Sequence, residues 1–250
     1  MKFLAVIPAR YASTRFPGKP LADIHGKTMI QHVYERVSEI FDYCYVATDD
    51  ARIESVVRKF GGNVVMTSTS HKSGTDRCRE ALDKIETAKG FSFDVVVNVQ
   101  GDEPFVSQNQ LVSIKELFGD SVTDIATLVK LFSAEEDIFN PNTPKVVLSG
   151  DYFALYFSRS VIPYLRSCED KIQWQSNYQY YKHIGLYAYR SDILRQLTVL
   201  PQSPLEIAES LEQLRWLENG YRIKVAVTDT ESHAVDTPED LEFVLKNYSL

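Results

Sequence analysis

The sequence has few cysteines and no long apolar segment, and both shortages limit what the protein can be. Its three cysteines, Cys44, Cys78 and Cys168, are far apart, form no C-x-x-C pair and have no metal-ligand spacing. This pattern argues against a disulfide framework and favours a reducing compartment. No apolar run approaches the roughly 20 residues that span a bilayer, and the N-terminal run is too short for a signal peptide. We therefore expect a soluble, cytoplasmic protein with no membrane partner.

The chain also lacks an excess of positive charge. Its formal net charge is -7 over 250 residues, whereas a protein that binds nucleic acid needs a basic surface. We therefore expect no nucleic-acid partner, and any functional positive charge must be local. With 44% hydrophobic residues the chain can bury one large core.

Two common nucleotide-binding motifs are missing as well. The stretch P-A-R-Y-A-S-T-R-F-P-G-K-P at residues 8–20 comes near the Walker A pattern, but Ser13 replaces its first glycine and Pro20 replaces its Ser or Thr. Gly26-Lys27-Thr28 matches the end of that pattern, but Leu21 stands where the first glycine is needed. The G-x-G-x-x-G fingerprint does not occur. A P-loop and a dinucleotide fold of the usual kind are both disfavoured.

What the sequence does contain is an alternation of short apolar runs with segments of helical spacing. Such alternation is typical of βαβ units and a buried parallel sheet, so we predict an α/β core with a mixed-strand elaboration in the second half. The expected strands are 3–7, 43–47, 64–66, 95–99, 125–132, 146–148, 184–189 and 223–227.

Two helices in the second half follow from local signals. The spacing predicts one helix over 204–218, with Ile207, Leu211 and Leu214 facing the core and Glu206, Glu209 and Gln213 forming a polar stripe. A final helix should begin at Thr237-Pro238, with Asp240 completing a capping box. Asp236 would then lie just outside that helix.

The loop after the first strand carries Arg10, Arg15 and Lys19 within ten residues. In a parallel sheet, ligands bind beyond the carboxyl ends of the strands. Guanidinium groups bind phosphate oxygens in pairs and lysine adds a point charge, so this loop could hold a triphosphate. A solvated basic loop would explain the same residues.

The loop after the third strand reads His71-Lys72-Ser73-Gly74-Thr75-Asp76-Arg77. Ser73 or Thr75 could simply cap the helix that follows. A helix N-terminus with glycine and two hydroxyls could also bind a base or an anion.

Two carboxylates suggest a metal site. Asp102 follows the fourth strand in Gln100-Gly101-Asp102-Glu103-Pro104, and Asp236 precedes the last helix. Mg²⁺ accepts one or two carboxylates and leaves its other positions to phosphates and water. For Asp102, an ordinary turn at Asp102-Glu103-Pro104 is the simpler alternative. By spacing alone, the polar helix stripe and a lone His183 are also more typical of structural roles.

Taken together, these stretches closely resemble the 3-deoxy-manno-octulosonate cytidylyltransferase family. The matching blocks run from residue 7 to about residue 242 and are IPARYASTRFPGKPL, HKSGTDR, NVQGDEP, FNPNTPKVVLS, ALYFSR, HIGLYAYR, SPLEIAESLEQLRWLENG and VDTPEDLE. Several such blocks in the same order are highly specific.

The resemblance implies a Rossmann-like nucleotidyltransferase fold with a mostly parallel central sheet and a mixed-strand dimerisation elaboration. It implies a single domain over 1–250, with about 1–120 binding CTP and about 121–235 serving the sugar and a homodimer. The implied reaction is the Mg²⁺-dependent conversion of CTP and 3-deoxy-D-manno-octulosonate (Kdo) to CMP-Kdo and pyrophosphate, for lipopolysaccharide synthesis.

The same resemblance assigns roles to residues. Lys19 would stabilise charge on the α-phosphate, and Asp102 and Asp236 would bind Mg²⁺. The sugar acid would face Arg77, Arg159, His183, Tyr187 and Gln213, with Arg77 or Arg159 as partner for its carboxylate. The nucleotide would contact Pro8, Ala9, Arg10, Ser13, Arg15, Lys19, Ser73, Gly74, Thr75 and Gln100.

Two alternatives remain at this point. Another sugar-acid cytidylyltransferase, such as a CMP-sialic acid synthetase, would use similar chemistry, although Pro17-Gly18-Lys19-Pro20 and VQGDEP disfavour it. A nucleotide-binding regulatory module without turnover is the other, and Lys19, Asp102 and Asp236 argue against it.

Overall fold

The computed structural model describes residues 1–13, 15–230 and 234–248, and its architecture is the expected α/β fold with a mostly parallel central sheet. The strands are β1 (Phe3–Ala9), β2 (Asp23–Ile24), β3 (Lys27–Thr28), β4 (Cys44–Thr48), β5 (Val64–Met66), β6 (Val95–Asn98), β7 (Ile125–Leu131), β8 (Lys145–Leu148), β9 (Ala154–Ser158), β10 (Tyr181–Arg190) and β11 (Ile223–Val227). The helices are α1 (Met29–Ser38), α2 (Ala51–Lys59), α3 (Gly74–Lys89), α4 (Gln108–Glu116), α5 (Trp174–Asn177), α6 (Ser191–Leu197), α7 (Pro204–Glu209), α8 (Glu212–Glu218) and α9 (Pro238–Asn247).

The chain forms two compact units. The first contains Met1–Val112, Ala188–Thr198 and the described residues of 232–250, and the second contains Ser113–Tyr187 and the described residues of 199–231. The C-terminal helix α9 thus belongs with the N-terminal half of the chain. The prediction of a single domain with a nucleotide part and a sugar part stays a prediction.

In the first unit, β1 pairs in parallel with both β4 and β6, and β4 pairs in parallel with β5. Residues 4–7 of β1 have no accessible surface, so this strand is covered on both faces. A strand buried on both faces reads as a continuous apolar run, which is why the sequence predicted it. The loops that follow β1 and β6 leave the sheet at the same edge.

Local signals for the helix ends are confirmed. The Ser73 hydroxyl accepts the backbone N–H of Asp76 and caps α3. Thr237 and Asp240 form the expected capping box at α9, which leaves Asp236 outside the helix. Gly61, with a φ of 82°, follows the end of α2. A left-handed residue at this position is the usual way to end a helix.

In the second unit, β7 pairs in parallel with β11, whereas β8 pairs antiparallel with both β9 and β10. This confirms the mixed-strand elaboration. Strand β9 was not predicted. Among the described residues, no helix is long and apolar enough to cross a bilayer.

The prediction of one helix over 204–218 is wrong. Helix α7 ends at Glu209, Ser210 adopts a left-handed conformation with a φ of 51°, and α8 begins at Glu212. The interruption changes which faces are buried, so Ile207 is 64% exposed while Glu206 and Gln213 are buried. The predicted polar stripe is therefore largely interior.

Candidate active site

An open cavity of about 410 Å³ lies in the first unit, at the carboxyl ends of β1 and β6. Most of the residues predicted to hold a nucleotide or a metal line it. They are Pro8, Ala9, Arg10, Ser13, Arg15, Lys19, Gly74, Gln100, Asp102 and Asp236.

The loop after β1 is folded so that Lys19 points into this cavity. Gly18 takes a left-handed φ of 75°, and its N–H donates to the Tyr11 carbonyl at 2.8 Å. Lys19 then opens a short 3-10 turn in which Pro20 is buried. Proline suits the first turn of a helix because its missing N–H has no partner there. Pro20, which does not fit a Walker A motif, therefore helps to fix the position of Lys19.

The Tyr11 ring also stabilises this loop through a contact with Arg52. The Arg52 guanidinium lies 3.2 Å from the centre of the Tyr11 ring, and Arg52 is itself bound through two nitrogens to Asp50 at the start of α2. A cation over an aromatic face contributes about 0.5–1 kcal/mol at an exposed site. This contact ties the phosphate-loop candidate to α2.

Arg10 lies half-buried between the loops that follow β1 and β5. Its Nη2 donates to the backbone carbonyl of His71 at 2.5 Å and lies 3.5 Å from that of Ser73. Burial and the neighbouring charge of Arg77 lower the pKa of Arg10 from its ordinary value. The charges of Asp49 and Asp76 act in the opposite direction, and Asp49 pairs with Arg77, so the guanidinium that this wall presents to the cavity is that of Arg10.

The two candidate metal carboxylates converge on one ammonium group. Lys19 Nζ lies 2.5 Å from Asp102 Oδ2 and 2.8 Å from Asp236 Oδ1. Arg15 Nη2 contacts the other oxygen of Asp236 at 2.9 Å. The structure therefore brings together four residues that span the chain from its N-terminal loop to its last helix.

Backbone contacts hold the two carboxylate segments side by side. The N–H of Val235 donates to the carbonyl of Asp102 at 2.8 Å, and Asp240 accepts the N–H of Asp236 at 2.9 Å. Gly101 packs so closely against β1 that an added Cβ would lie 2.8 Å from the Pro8 carbonyl oxygen. Only glycine fits at this position without a shift of the loop.

The proximity of opposite charges decides the protonation states. Burial alone would lower the pKa of Lys19, but the charges and hydrogen bonds of Asp102 and Asp236 outweigh it and raise the pKa. Burial would raise the pKa of Asp236, yet Lys19 and Arg15 hold it below its usual value. Each of these two shifts favours the charged form, so Lys19 is protonated and Asp236 is ionised near neutral pH.

The donor set of this cluster fits a hard divalent cation. Two carboxylates already share one cation, the Lys19 ammonium, at the edge of an open cavity. Mg²⁺ is held in this way by one or two carboxylates together with phosphates and water. In the described part of the chain, no group of three or more His, Cys, Asp or Glu side chains could hold a metal alone. A metal held by these two carboxylates would take its remaining ligands from water or a substrate.

The stretch around the start of α3 is only partly exposed to the cavity. Gly74 lines it, whereas Ser73 caps the helix and Thr75 is buried. The capping interpretation of Ser73 is confirmed. A role of Ser73 and Thr75 in binding the nucleotide stays a prediction.

Arg77, one of the predicted sugar contacts, is fully buried, and its contact with the sugar acid stays a prediction. Its side chain has no accessible surface, and it donates to Thr67 Oγ1 at 2.6 Å and to Asp49 Oδ2 at 2.7 Å. A side chain without accessible surface cannot reach a ligand unless the loops rearrange. In this structure Arg77 instead joins the ends of β4 and β5 beneath Arg10.

The other predicted sugar contacts lie in the second unit. Arg159 donates from its guanidinium to three backbone carbonyls, those of Pro141, Glu209 and Ser210, at 2.6–3.2 Å. Among the described residues no carboxylate forms a salt bridge with this guanidinium, although the Glu209 carboxylate accepts the backbone N–H of Arg159 at 2.9 Å. A guanidinium bound directly to carbonyl dipoles can still attract an anion.

His183, Tyr187 and Gln213 form the rest of this predicted set. The rings of His183 and Tyr187 lie 5.1 Å apart, and burial lowers the pKa of His183 to about 3, so its imidazole is neutral near pH 7. Gln213 is buried, and within the described residues its Nε2 has no hydrogen-bond partner. A buried donor of this kind is costly unless a ligand or water satisfies it.

Two further polar residues in this region were not singled out individually from the sequence. Lys72 lines the cavity and belongs to the HKSGTDR stretch that was predicted to bind a ligand. Asn98 ends β6 beneath Gly74, is buried, and its Oδ1 has no hydrogen-bond partner in the described part of the chain. The signal for Asn98 was a polar residue interrupting a run of four valines.

The sequence matches known proteins along almost its whole length. The family model described as Cytidylyltransferase matches residues 4–224. A 3-deoxy-manno-octulosonate cytidylyltransferase of Bacteroides thetaiotaomicron is 61% identical, covering 100% of both chains. One of Parabacteroides distasonis is 59% identical, covering 98% of this chain and 97% of the relative.

Solved structures agree with these matches. A CMP:2-keto-3-deoxy-manno-octonic acid synthetase in complex with CTP superimposes with a TM-score of 0.88 at 44% identity, covering 98% of this chain and 97% of its own. A glucose-1-phosphate thymidylyltransferase from Bacillus anthracis, at 14% identity and a TM-score of 0.62, shares the fold alone. The cavity, its cations and its paired carboxylates thus occur in a chain that belongs to the cytidylyltransferase family, and within it to the 3-deoxy-manno-octulosonate cytidylyltransferases.

Proposed function

We propose that this protein transfers CMP from CTP to the anomeric hydroxyl of Kdo, giving CMP-Kdo and pyrophosphate for lipopolysaccharide synthesis. The observation that carries this proposal is the convergence of Arg15, Lys19, Asp102 and Asp236 in one open cavity at the carboxyl ends of β1 and β6. Relatives at 59–61% identity over nearly the full length carry the corresponding name.

The triphosphate of CTP would bind Arg10, Arg15 and Lys19. Arg10 donates to backbone carbonyls and, among the described residues, forms no salt bridge with a carboxylate, so its charge remains available to an anion. The cytosine and ribose would contact Pro8, Ala9, Ser13, Gln100 and the start of α3. The small residues of this wall let the ligand approach the backbone.

In the reaction, the anomeric hydroxyl of Kdo loses its proton to water and its oxygen forms a bond to the α-phosphorus of CTP, while the bond to the bridging oxygen of pyrophosphate breaks in line. Lys19 would stabilise the negative charge that grows on the α-phosphate oxygens. The chain's main contribution is to position the two substrates and to supply fixed positive charge.

Asp102 and Asp236 would hold Mg²⁺, which fits their carboxylates as described above. When bound, the metal ion supplies Lewis-acid stabilisation of phosphate charge. The enzyme class commonly uses a divalent metal.

For the sugar acid we propose Arg159 as the partner of the carboxylate, with His183, Tyr187 and Gln213 around the sugar hydroxyls. Arg159 is favoured over Arg77 because Arg77 is fully buried and paired with Asp49. The unsatisfied Nε2 of Gln213 would gain a partner in a sugar hydroxyl.

We further propose that the protein is a homodimer and acts in the cytoplasm. The resemblance places the dimer surface near residues 140–142 and the strand that follows. Phe139, next to this segment, is 42% exposed, which is high for a phenylalanine. Both statements rest on the sequence and stay predictions.

The deciding experiment measures pyrophosphate release with CTP and Mg²⁺ in the presence of Kdo or of N-acetylneuraminate. Release should require CTP and Kdo, and ATP, GTP or UTP should not replace CTP. Faster release with N-acetylneuraminate would assign the chain to the sialic acid enzymes. CTP binding without release from either sugar would instead indicate a regulatory module.

A further inference from the structure

The carboxylates that would hold the metal are occupied by the chain's own cations. Lys19 Nζ contacts Asp102 Oδ2 at 2.5 Å and Asp236 Oδ1 at 2.8 Å, and Arg15 Nη2 takes Asp236 Oδ2 at 2.9 Å. Three carboxylate oxygens therefore already face a positive group. The Lys19 side chain is only 14% exposed, so its ammonium lies within the cluster rather than at its edge.

A divalent ion binds these oxygens less well while the ammonium stays in place. Each carboxylate oxygen keeps a second lone pair, but two cations at such short range repel each other where water is partly excluded. Metal binding is therefore favoured when Lys19, and to a lesser extent Arg15, leaves the carboxylates.

The same two side chains are those assigned to the triphosphate. Phosphate oxygens carry more negative charge than the two carboxylates and would draw Lys19 and Arg15 towards them. Each step that moves these cations onto phosphate exposes the oxygens of Asp102 and Asp236. Binding of nucleotide and binding of metal are coupled in this way, and by linkage the coupling is reciprocal.

We propose that Lys19 closes the metal site of the nucleotide-free enzyme and that CTP opens it by drawing Lys19 onto its phosphates. This inference rests on the proposed function, since it takes the triphosphate and metal positions from it. The free enzyme should then bind a divalent ion weakly, and the metal site should form only together with the nucleotide.

The test measures binding of Mn²⁺ to the nucleotide-free protein by electron paramagnetic resonance. Removal of the blocking ammonium in Lys19→Met should tighten Mn²⁺ binding by about tenfold or more, within the usual range of such couplings. Lys19→Gln provides a second variant in case the first one folds poorly, which circular dichroism would reveal. Adding Asp236→Asn to either variant should abolish the gain.

Lys72→Met is the matched control, because Lys72 lines the same cavity and carries the same charge, whereas the ion pairs of Asp102 and Asp236 among the described residues are with Lys19 and Arg15. Its removal should give a clearly smaller gain than Lys19→Met. An equal increase in Mn²⁺ affinity in Lys19→Met and Lys72→Met would mean that Lys19 acts only through the overall positive charge of the cavity. No increase in either Lys19 variant would show that Lys19 does not block the site. Either outcome overturns the inference.

Pyrophosphate release by the wild-type enzyme keeps this inference separate from the proposed function. Suppose that the wild type releases pyrophosphate from CTP and Kdo but the Lys19 variants bind Mn²⁺ no more tightly than the wild type. The proposed function would then stand, and the proposal that Lys19 closes the metal site would be refuted. If the Lys19 variants bind Mn²⁺ more tightly but the wild type releases no pyrophosphate with any sugar acid, closure of the metal site by Lys19 would be supported and the proposed function refuted.

Discussion

Lys19 has the largest number of proposed roles in the candidate site. Its ammonium contacts two carboxylates in the structure and is the proposed donor to the α-phosphate. Lys19→Ala should lower kcat by on the order of a hundredfold or more, as for other preorganised charge donors. The measurement is pyrophosphate release at saturating CTP and Kdo.

Lys27→Ala is a suitable control for this variant. Lys27 forms an exposed ion pair with Glu35, and it does not line the cavity. Its loss should leave turnover within about twofold and stability within about 1 kcal/mol of the wild type. Unaltered turnover in Lys19→Ala would refute a catalytic role for Lys19.

Gly101 provides a second prediction for a single residue. An added Cβ would lie 2.8 Å from the backbone oxygen of Pro8, so Gly101→Ala must push apart the loops that carry Asp102 and the cations proposed to bind phosphate. We expect a loss of about 1–3 kcal/mol in the free energy of unfolding, as for other overpacked sites. Turnover should fall as well, because the carboxylate and the lysine would separate.

Urea unfolding and pyrophosphate release would measure the two effects of Gly101→Ala. Gly119→Ala serves as the control, since no atom lies within 4 Å of the Cβ it would add. Equal stability of the two variants would show that the approach of Gly101 to Pro8 is not tight in solution.

Among elements, the loop before α3 depends on one glutamate. Glu80 in α3 accepts the Ser68 N–H at 2.9 Å, contacts His71 and pairs with Lys84 at 2.7 Å. Burial would raise the pKa of Glu80, but these partners outweigh it and lower the pKa to about 2. Since Arg10 binds the carbonyl of His71, Glu80 indirectly fixes one wall of the cavity.

A carboxylate with a depressed pKa stabilises the fold above its unfolded pKa, and the benefit disappears as pH falls through the folded value. Glu80→Gln should therefore cost about 1–2 kcal/mol at pH 7, discounted for partial exposure of the side chain. The gap to the wild type should close as the pH falls from about 4.5 to about 2.

Denaturant unfolding at a series of pH values would measure this gap. Glu54→Gln is the control, because Glu54 forms only a surface pair with Arg58 one turn away. A gap for Glu80→Gln that stays constant down to pH 2 would show that the charge of Glu80 does not stabilise the loop.

Helices α7 and α8 show where pattern reasoning fails for an element. The apolar spacing continues through Ser210, and serine is not a helix breaker, so the sequence predicted one helix. At the break, Arg159, which directly follows the distant strand β9, donates to the carbonyls of Glu209 and Ser210. A tertiary contact that captures the last carbonyls of a helix cannot be read from periodicity. The same break turns Gln213 inward.

At the scale of the whole molecule, the homodimer is the open prediction. Exposed Phe139 lies next to the segment that the resemblance assigns to the interface. The wild type should elute from gel filtration at about twice the 28.5 kDa mass of the chain. Phe139→Asp should shift elution towards the monomer, because a buried unpaired charge opposes association. A wild-type protein that elutes as a monomer at assay concentrations would refute the prediction.

The sequence by itself determined the α/β class, most strand and helix positions, and the family. Buried parallel strands leave continuous apolar runs, helix caps are local, and the family motifs are long and ordered. The convergence of the loop after β1 with Asp102 was also expected, since ligands bind where parallel strands end.

Only the tertiary structure decided which of those motif residues face the cavity. Arg77 belongs to a motif but is buried against Asp49, and Lys72 in the same motif lines the cavity. Asp236 reaches Lys19 and Asp102 because α9 packs against the N-terminal half and Val235 binds the Asp102 carbonyl. Such contacts arise from packing between segments far apart in the chain, and local spacing carries no information about them.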